Sequence, residues 1–166
     1  SLMRMIDTNI MYNIKLLRFI RKFDLKNYFC VSTDKAVNPA NLMGATKRIM
    51  EKFLMVESIY QNISTARFAN VAFSSGSLLD GFKTRLFLKQ PITVPKVISR
   101  YFITDEEAGQ LCLLSTILSK NKDIFFPKSS GKLKLTLFTN VLKNFLCLYG
   151  YEPYLCSSEE EARGRR

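Results

Sequence analysis

The sequence predicts an α/β fold in which helices cover a parallel sheet. Three observations carry this. Stretches with apolar residues at helical spacing alternate with short, nearly continuous apolar runs such as Tyr28-Phe29-Cys30-Val31-Ser32, the mark of strands buried on both faces. Polar residues gather just behind those runs, where ligands of parallel sheets sit. The chain has 166 residues, 47% of them hydrophobic, which suits one core-bearing domain rather than a disordered or fibrous polymer.

The elements follow in order. Met3, Ile6, Ile10, Ile14 and Leu17 predict an amphipathic helix from the first residues. Because Ser1-Leu2-Met3-Arg4 drops straight into that pattern, the start is expected to be a truncation boundary. A buried strand follows at Tyr28 to Ser32. Pro39 interrupts the chain, Asn41 is an N-cap, and Met43, Ile49, Met50, Phe53, Leu54 and Val56 predict a helix to about Gln61. A second strand is expected from Ser64 to Val71. Gly76 and Ser77 open a shorter helix with Leu78, Leu79, Phe82 and Leu86, and Pro91 and Pro95 bracket a brief extended piece. Thr104-Asp-Glu-Glu107 is a capping box that starts a helix through about Ser119. Asp123 to Pro127 is expected as a strand, Ser129 to Gly131 as a turn, and Leu137, Phe138, Val141, Leu142 and Phe145 as a helix stopping at Gly150. The charged tail from Glu159 is expected to fray.

Composition narrows the chemistry. Lys and Arg number 25 against 14 Asp and Glu, and the net charge of +11 favours phosphate-bearing partners: nucleic acid, an anionic membrane face or a nucleotide. There is no histidine, and Cys30, Cys112, Cys147 and Cys156 form no CxxC pair, which argues against zinc and a Ser-His-Asp triad. No metal is expected. The cysteines are expected as buried free thiols in a reducing cytoplasm. The greasiest run, Leu111 to Leu118, contains Ser115 and Thr116 and meets Lys120, short of the ~18 apolar residues of a membrane span.

Two places hold residues unlike a core. Val31-Ser32-Thr33-Asp34-Lys35 leaves its strand through two hydroxyls, a carboxylate and an ammonium; as a bland alternative it is only a polar exit loop. Asn41-Leu-Met-Gly-Ala-Thr-Lys47 puts Met43 and Lys47 four residues apart on one helix face, so Lys47 and Thr33 to Lys35 converge if the loop folds back. Behind the other strand, Asn70 and Ser74-Ser-Gly76-Ser77 precede a helix N-terminus, whose N-H groups and dipole suit a diphosphate.

Ser32-Thr-Asp-Lys-Ala-Val-Asn-Pro39 with Asn41-Leu-Met-Gly-Ala-Thr-Lys-Arg48 resembles the active-site segment of extended short-chain dehydrogenases acting on nucleotide sugars. The resemblance extends through Ala66-Arg-Phe-Ala-Asn70-Val71, Gly76-Ser-Leu-Leu79, Arg100-Tyr-Phe-Ile-Thr104 and Glu106-Glu-Ala-Gly109. It is strongest to the polysaccharide-biosynthesis, CapD-like branch with its UDP-N-acetylglucosamine 4,6-dehydratases and 5-epimerases. It implies the later part of a Rossmann domain over 1–73 and mainly a substrate lobe over 74–166, with 123–127 able to return to the sheet. It also implies NAD or NADP as cofactor, a UDP-sugar substrate, a homo-oligomer when full length, and a cytoplasmic place that for the full-length protein extends to the inner membrane face.

The resemblance assigns roles. Lys47 holds the nicotinamide ribose, Thr33 touches the sugar oxygen, Asp34 protonates the departing hydroxyl and Lys35 takes the C5 proton. The chemistry is reasonable, since a 4-keto group acidifies that proton and a positioned acid or base gives about 10²- to 10⁴-fold. Met43 stands in the usual tyrosine position and moves no proton, which leaves Lys35 or a water held by Thr33 to deprotonate the 4-hydroxyl. Asn9 and Ser32 are the further cofactor-side residues, and Asn70, Ser77 and Arg100 the substrate-side ones. No Gly-x-Gly-x-x-Gly follows any strand, so the cofactor's adenosine and pyrophosphate have no seat and the chain alone is expected to be inactive. A basic nucleic-acid module and a non-catalytic packing remnant are the competing expectations; most of the 13 Phe lie at core spacing, against the first.

Overall fold

A computed structural model describes residues 2–127, 134–154 and 156. The chain divides into two compact units, Ser1–Ala69 with Glu106–Lys128, and Asn70–Asp105 with Ser129–Arg166.

The first unit is a parallel sheet with helices. Strands β1 (Tyr28–Thr33), β2 (Ile63–Phe68) and β6 (Ile124–Phe125) run parallel in the order β1-β2-β6. Tyr28 pairs with Ile63, Thr33 with Phe68 and Thr65 with Ile124. The stretch at 123–127 thus returns to the sheet. As the middle strand, β2 buries Ile63, Ser64, Thr65 and Ala66 completely. The expected burial of β1 on both faces is corrected: β1 stands at the edge of the described sheet, and alternation along it buries Ser32 while Val31 is 43% exposed.

The opening helix is interrupted. Helix α1 (Leu2–Ile6) and helix α2 (Tyr12–Ile20) flank a π-turn at Asp7–Met11. A π-turn shifts the phase of the helix by about one residue, roughly 100°, so the stripe read from Met3 to Leu17 does not stay on one face. Leu17 and Ile20 are buried, whereas Met3 is exposed. These two meet Met50 and Leu54 of helix α3 (Leu42–Glu57) and Ile63 of β2, with Tyr28 and Cys30 packed alongside.

Helix α3 starts as its sequence dictates. Asn41 is extended and its side chain accepts from the Gly44 N-H at 3.1 Å. Asn41→Ala is expected to cost about 1 kcal/mol, a melting-point drop of about 2–4 °C in a chain of this size, measurable by thermal denaturation. The helix ends at Glu57 rather than Gln61, because Ser58 donates its hydroxyl to the Met55 carbonyl at 2.6 Å and the chain turns there. Helix α5 (Asp105–Leu118) begins directly after Thr104 and belongs, apart from its first residue, to this unit. It approaches β2 through small groups: Ser115 is fully buried, and the Ser64 hydroxyl donates to its carbonyl at 3.3 Å.

Among its described residues the second unit has two small sheets and one core. The strand expected from Ser64 to Val71 is divided: β3 (Asn70–Val71) pairs instead with β5 (Phe102–Ile103), in parallel. Strand β4 (Ser99–Arg100) pairs antiparallel with β7 (Thr136–Leu137). Leu137 therefore ends a strand and precedes helix α6 (Phe138–Leu148) instead of lying in it. Leu79 and Phe82 of helix α4 (Leu78–Phe87) pack with Leu142 and Phe145 of α6. The stretch bracketed by Pro91 and Pro95 forms no strand, but Ile92 and Val94 rest against this core. Gly150, at φ +77°, follows the end of α6 as expected.

All four cysteines are free thiols. None is buried as expected: Cys30, Cys112 and Cys156 are partly exposed, and Cys147 is exposed because it lies off the Leu142 and Phe145 face of α6. The expected turn at 129–131 and the fraying tail fall outside the described residues. Among the described residues no helix is long and apolar enough to cross a membrane.

Candidate functional site

The exit of β1 is a tight polar turn. Thr33 caps a single 3₁₀ turn at Asp34–Ala36, accepting from the Lys35 N-H at 3.4 Å and donating its hydroxyl to Asp34 Oδ1 at 3.0 Å. Lys35 Nζ lies 3.4 Å from the same oxygen. Hydroxyl, carboxylate and ammonium thus touch within three successive residues. The Asp34–Lys35 pair is substantially exposed, so it adds little to stability.

The first turn of α3 abuts this corner. A Cβ on Gly44 would lie 2.6 Å from the Lys35 carbonyl oxygen and 3.2 Å from Pro39 Cα, closer than side chains pack. Only glycine admits that approach. One turn beyond Met43, Lys47 is half-buried, and its Nζ donates to the Val31 carbonyl at 3.0 Å, two residues before Thr33. Burial pulls the Lys47 pKa below the ordinary lysine value, against the opposing pull of Cys30 and Glu51. Behind it, burial pushes the Cys30 thiol and the Tyr28 hydroxyl up.

The π-turn serves the same corner. Asn9 donates its side-chain N-H to Thr46 Oγ1 at 3.0 Å, and Thr46 donates to the Met43 carbonyl at 3.0 Å. Asn9 is therefore linked to the helix turn that carries Met43 and Lys47.

Ser32 faces inward. It is 3% exposed and donates its hydroxyl to Glu51 Oε1 at 2.6 Å. Glu51, which sequence reasoning missed, is itself 3% exposed and is gripped by both arms of Arg67, at 2.9 and 2.8 Å. Burial raises its pKa, but the Arg67 and Ser32 hydrogen bonds and the charges of Arg67 and Arg48 outweigh that, leaving it below the usual carboxylate range. Its one trace in the sequence is the arginine within the strand Ile63–Phe68, which needs a partner but does not say which residue that is.

Asn70, Ser77 and Arg100 belong to the other unit. The Asn70 side chain donates to the Tyr101 carbonyl at 3.0 Å, and exposed Arg100 donates to the Ser99 carbonyl at 3.0 Å. Ser77 is the N-cap of α4, accepting from the Asp80 N-H at 3.3 Å. The helix start expected to suit a diphosphate already holds a carboxylate, since Asp80 Oδ2 accepts from the Gly76 N-H at 2.9 Å.

The first unit thus brings together Asn9, Thr33, Asp34, Lys35, Met43 and Lys47, with Ser32 behind them. This chain is similar to the capsular polysaccharide biosynthesis protein CapD of Staphylococcus aureus, at 32% identity over 151 residues, 87% of this chain and 24% of that protein. It is 31% identical over 148 residues to the inverting UDP-N-acetylglucosamine 4,6-dehydratase of Campylobacter jejuni, covering 84% of this chain and 44% of the dehydratase. Among solved structures, it superimposes on the UDP-glucose 4-epimerase of Thermus thermophilus in complex with NAD with a TM-score of 0.75 at 14% identity, over 94% of this chain and 63% of that one. At that identity the likeness concerns the fold alone. The chain spans less than half the length of the two curated relatives described. The sequence pattern of the polysaccharide biosynthesis protein family matches residues 1–166. With the parallel sheet and the corner at its β1 exit, that match makes the chain a member of the polysaccharide biosynthesis protein family.

Proposed function

We propose that this chain contributes the reaction corner of an NAD(P)-dependent nucleotide-sugar 4,6-dehydratase or dehydratase-epimerase, acting on a UDP-N-acetylglucosamine-type sugar in polysaccharide biosynthesis. The observation that carries the reading is the seating of Lys47 on the Val31 carbonyl, beside a Thr33-Asp34-Lys35 turn against which Gly44 lets its helix pack. An ammonium has three donors; the Val31 carbonyl takes one and the Met50 sulfur, at 3.7 Å, a weak second, which leaves one for a ribose hydroxyl. Lys47 would hold the ribose of NAD(P), which when bound would supply hydride transfer between C4 and C6 of the sugar.

The chain's own residues handle protons and positions. Thr33 directs its hydroxyl at the sugar oxygen, and the 4-hydroxyl proton leaves to Lys35 or to a water held on Thr33, since Met43 has no proton to exchange. Lys35 Nζ and Asp34 Oδ1 lie 3.4 Å apart, so Lys35 passes a proton to Asp34 before the elimination. Neutral Lys35 then takes the C5 proton, and protonated Asp34 gives its proton to the departing C6 hydroxyl, which leaves as water and restores the ion pair. Asn9 acts through Thr46 to hold the turn of Met43 and Lys47. Asn70, Ser77 and Arg100 are the substrate-side residues of this reading, with Arg100 for the phosphates.

The test is an assay of 4-keto-sugar formation from UDP-N-acetylglucosamine with added NAD or NADP. The 166 residues alone are expected to give no steady turnover, and a folded protein joining them to a glycine-rich cofactor-binding half is expected to form the 4-keto product. A joined protein that binds NAD(P) yet converts no UDP-sugar refutes the reading.

A further inference from the structure

Glu51 has no role in the scheme above, yet it ties three elements of the reaction corner together. It projects from α3, accepts from Ser32 of β1 at 2.6 Å, and accepts both arms of Arg67 of β2 at 2.9 and 2.8 Å. Arg48 approaches the same carboxylate at 3.8 Å. Ser32 lies between Val31, whose carbonyl seats Lys47, and Thr33, which caps the turn. Lys47 itself stands one helical turn before Glu51.

A buried ion pair is a poor device for stability alone. Taking the charges out of water costs about as much as their attraction returns, and apolar replacements of similar volume are often neutral or better. What such a pair does supply is direction, because the guanidinium fork and the carboxylate accept each other in few geometries. We propose that Glu51 is a positioning residue: by gripping Ser32 and Arg67 at once, it fixes α3 against β1 and β2 so that Lys47 stays on the Val31 carbonyl beside Thr33. Its catalytic consequence rests on the dehydratase reading above; its structural consequence does not.

The experiment reads Lys47 directly. The chain, Glu51→Gln and Arg67→Lys are labelled with a trace acylating reagent at alkaline pH, and the acylation of Lys47 relative to exposed Lys52 of the same helix is measured by peptide mass spectrometry. Both variants keep the approximate size of the side chain, and Arg67→Lys also keeps every charge. A several-fold rise in relative Lys47 labelling is expected in both, as the ammonium leaves its carbonyl seat. In the joined, cofactor-binding protein, kcat is expected to fall between roughly tenfold and a hundredfold, the scale of a small misplacement of reacting groups, with KM for the sugar nearly unchanged. Unaltered Lys47 labelling in folded variants, with only a lower melting point, overturns the proposal. Should Glu51→Gln not fold, Arg67→Lys alone decides. Absence of product from the parent protein sinks the dehydratase reading and leaves the labelling result standing.

Discussion

Lys47→Met is expected to lower 4-keto-sugar formation by the joined protein roughly 10²- to 10³-fold, the scale for removing one preorganised donor from a reaction centre. Stability is expected to move the other way or not at all. Burial depresses the Lys47 pKa, so between its folded value and the ordinary lysine value the unfolded chain binds more protons than the folded one. Stability therefore rises with pH through that window, and below it the folded state carries the full cost of a desolvated ammonium. Methionine removes the charge while retaining most of the stem, and the Met50 sulfur already beside Nζ at 3.7 Å shows that a thioether fits the neighbourhood. Initial rates and a thermal melt on the same preparation check both halves. A melting point that collapses together with the rate means that Lys47 is a fold residue, and a rate within twofold of the parent removes it from the reaction.

Gly44→Ala tests the contact between helix and turn. In a helix an alanine ordinarily gains about 1 kcal/mol over glycine. Here the added methyl would lie 2.6 Å from the Lys35 carbonyl oxygen, and the obstacle is backbone, not the end of a flexible side chain. The helix start must move away from Asp34 and Lys35, at a cost of about 1–3 kcal/mol for forced overpacking. The expected outcome is a net loss of stability in chemical denaturation, with reduced activity because Met43 and Lys47 shift relative to the turn. Gly44→Ala as stable as the parent shows that the close approach is not required, and the corner loses one of its two anchors.

The corner was partly legible beforehand for a local reason. The polar exit Thr33-Asp34-Lys35, the Asn41 cap and the four-residue spacing of Met43 and Lys47 depend on neighbours a few positions away, and the structure reproduces each. Glu51 was not legible, because its meaning comes from Ser32 and Arg67, 19 and 16 positions away, meeting it across a strand pair. Asn9 was named through the resemblance, but its bond to Thr46, 37 positions on, was not legible for the same reason.

From the sequence alone came the alternation of helix and strand, the parallel α/β class, the stop at Gly150 and the polar exit of β1. These rest on periodicity and backbone preference, which act within a turn or a strand length. Only the tertiary structure decided that the run from Ser64 to Val71 serves two sheets and that a π-turn interrupts the first helix. The reason is physical. Apolar residues state that they must leave water but not which partner covers them, so pairing and register are chosen by the packing of distant segments.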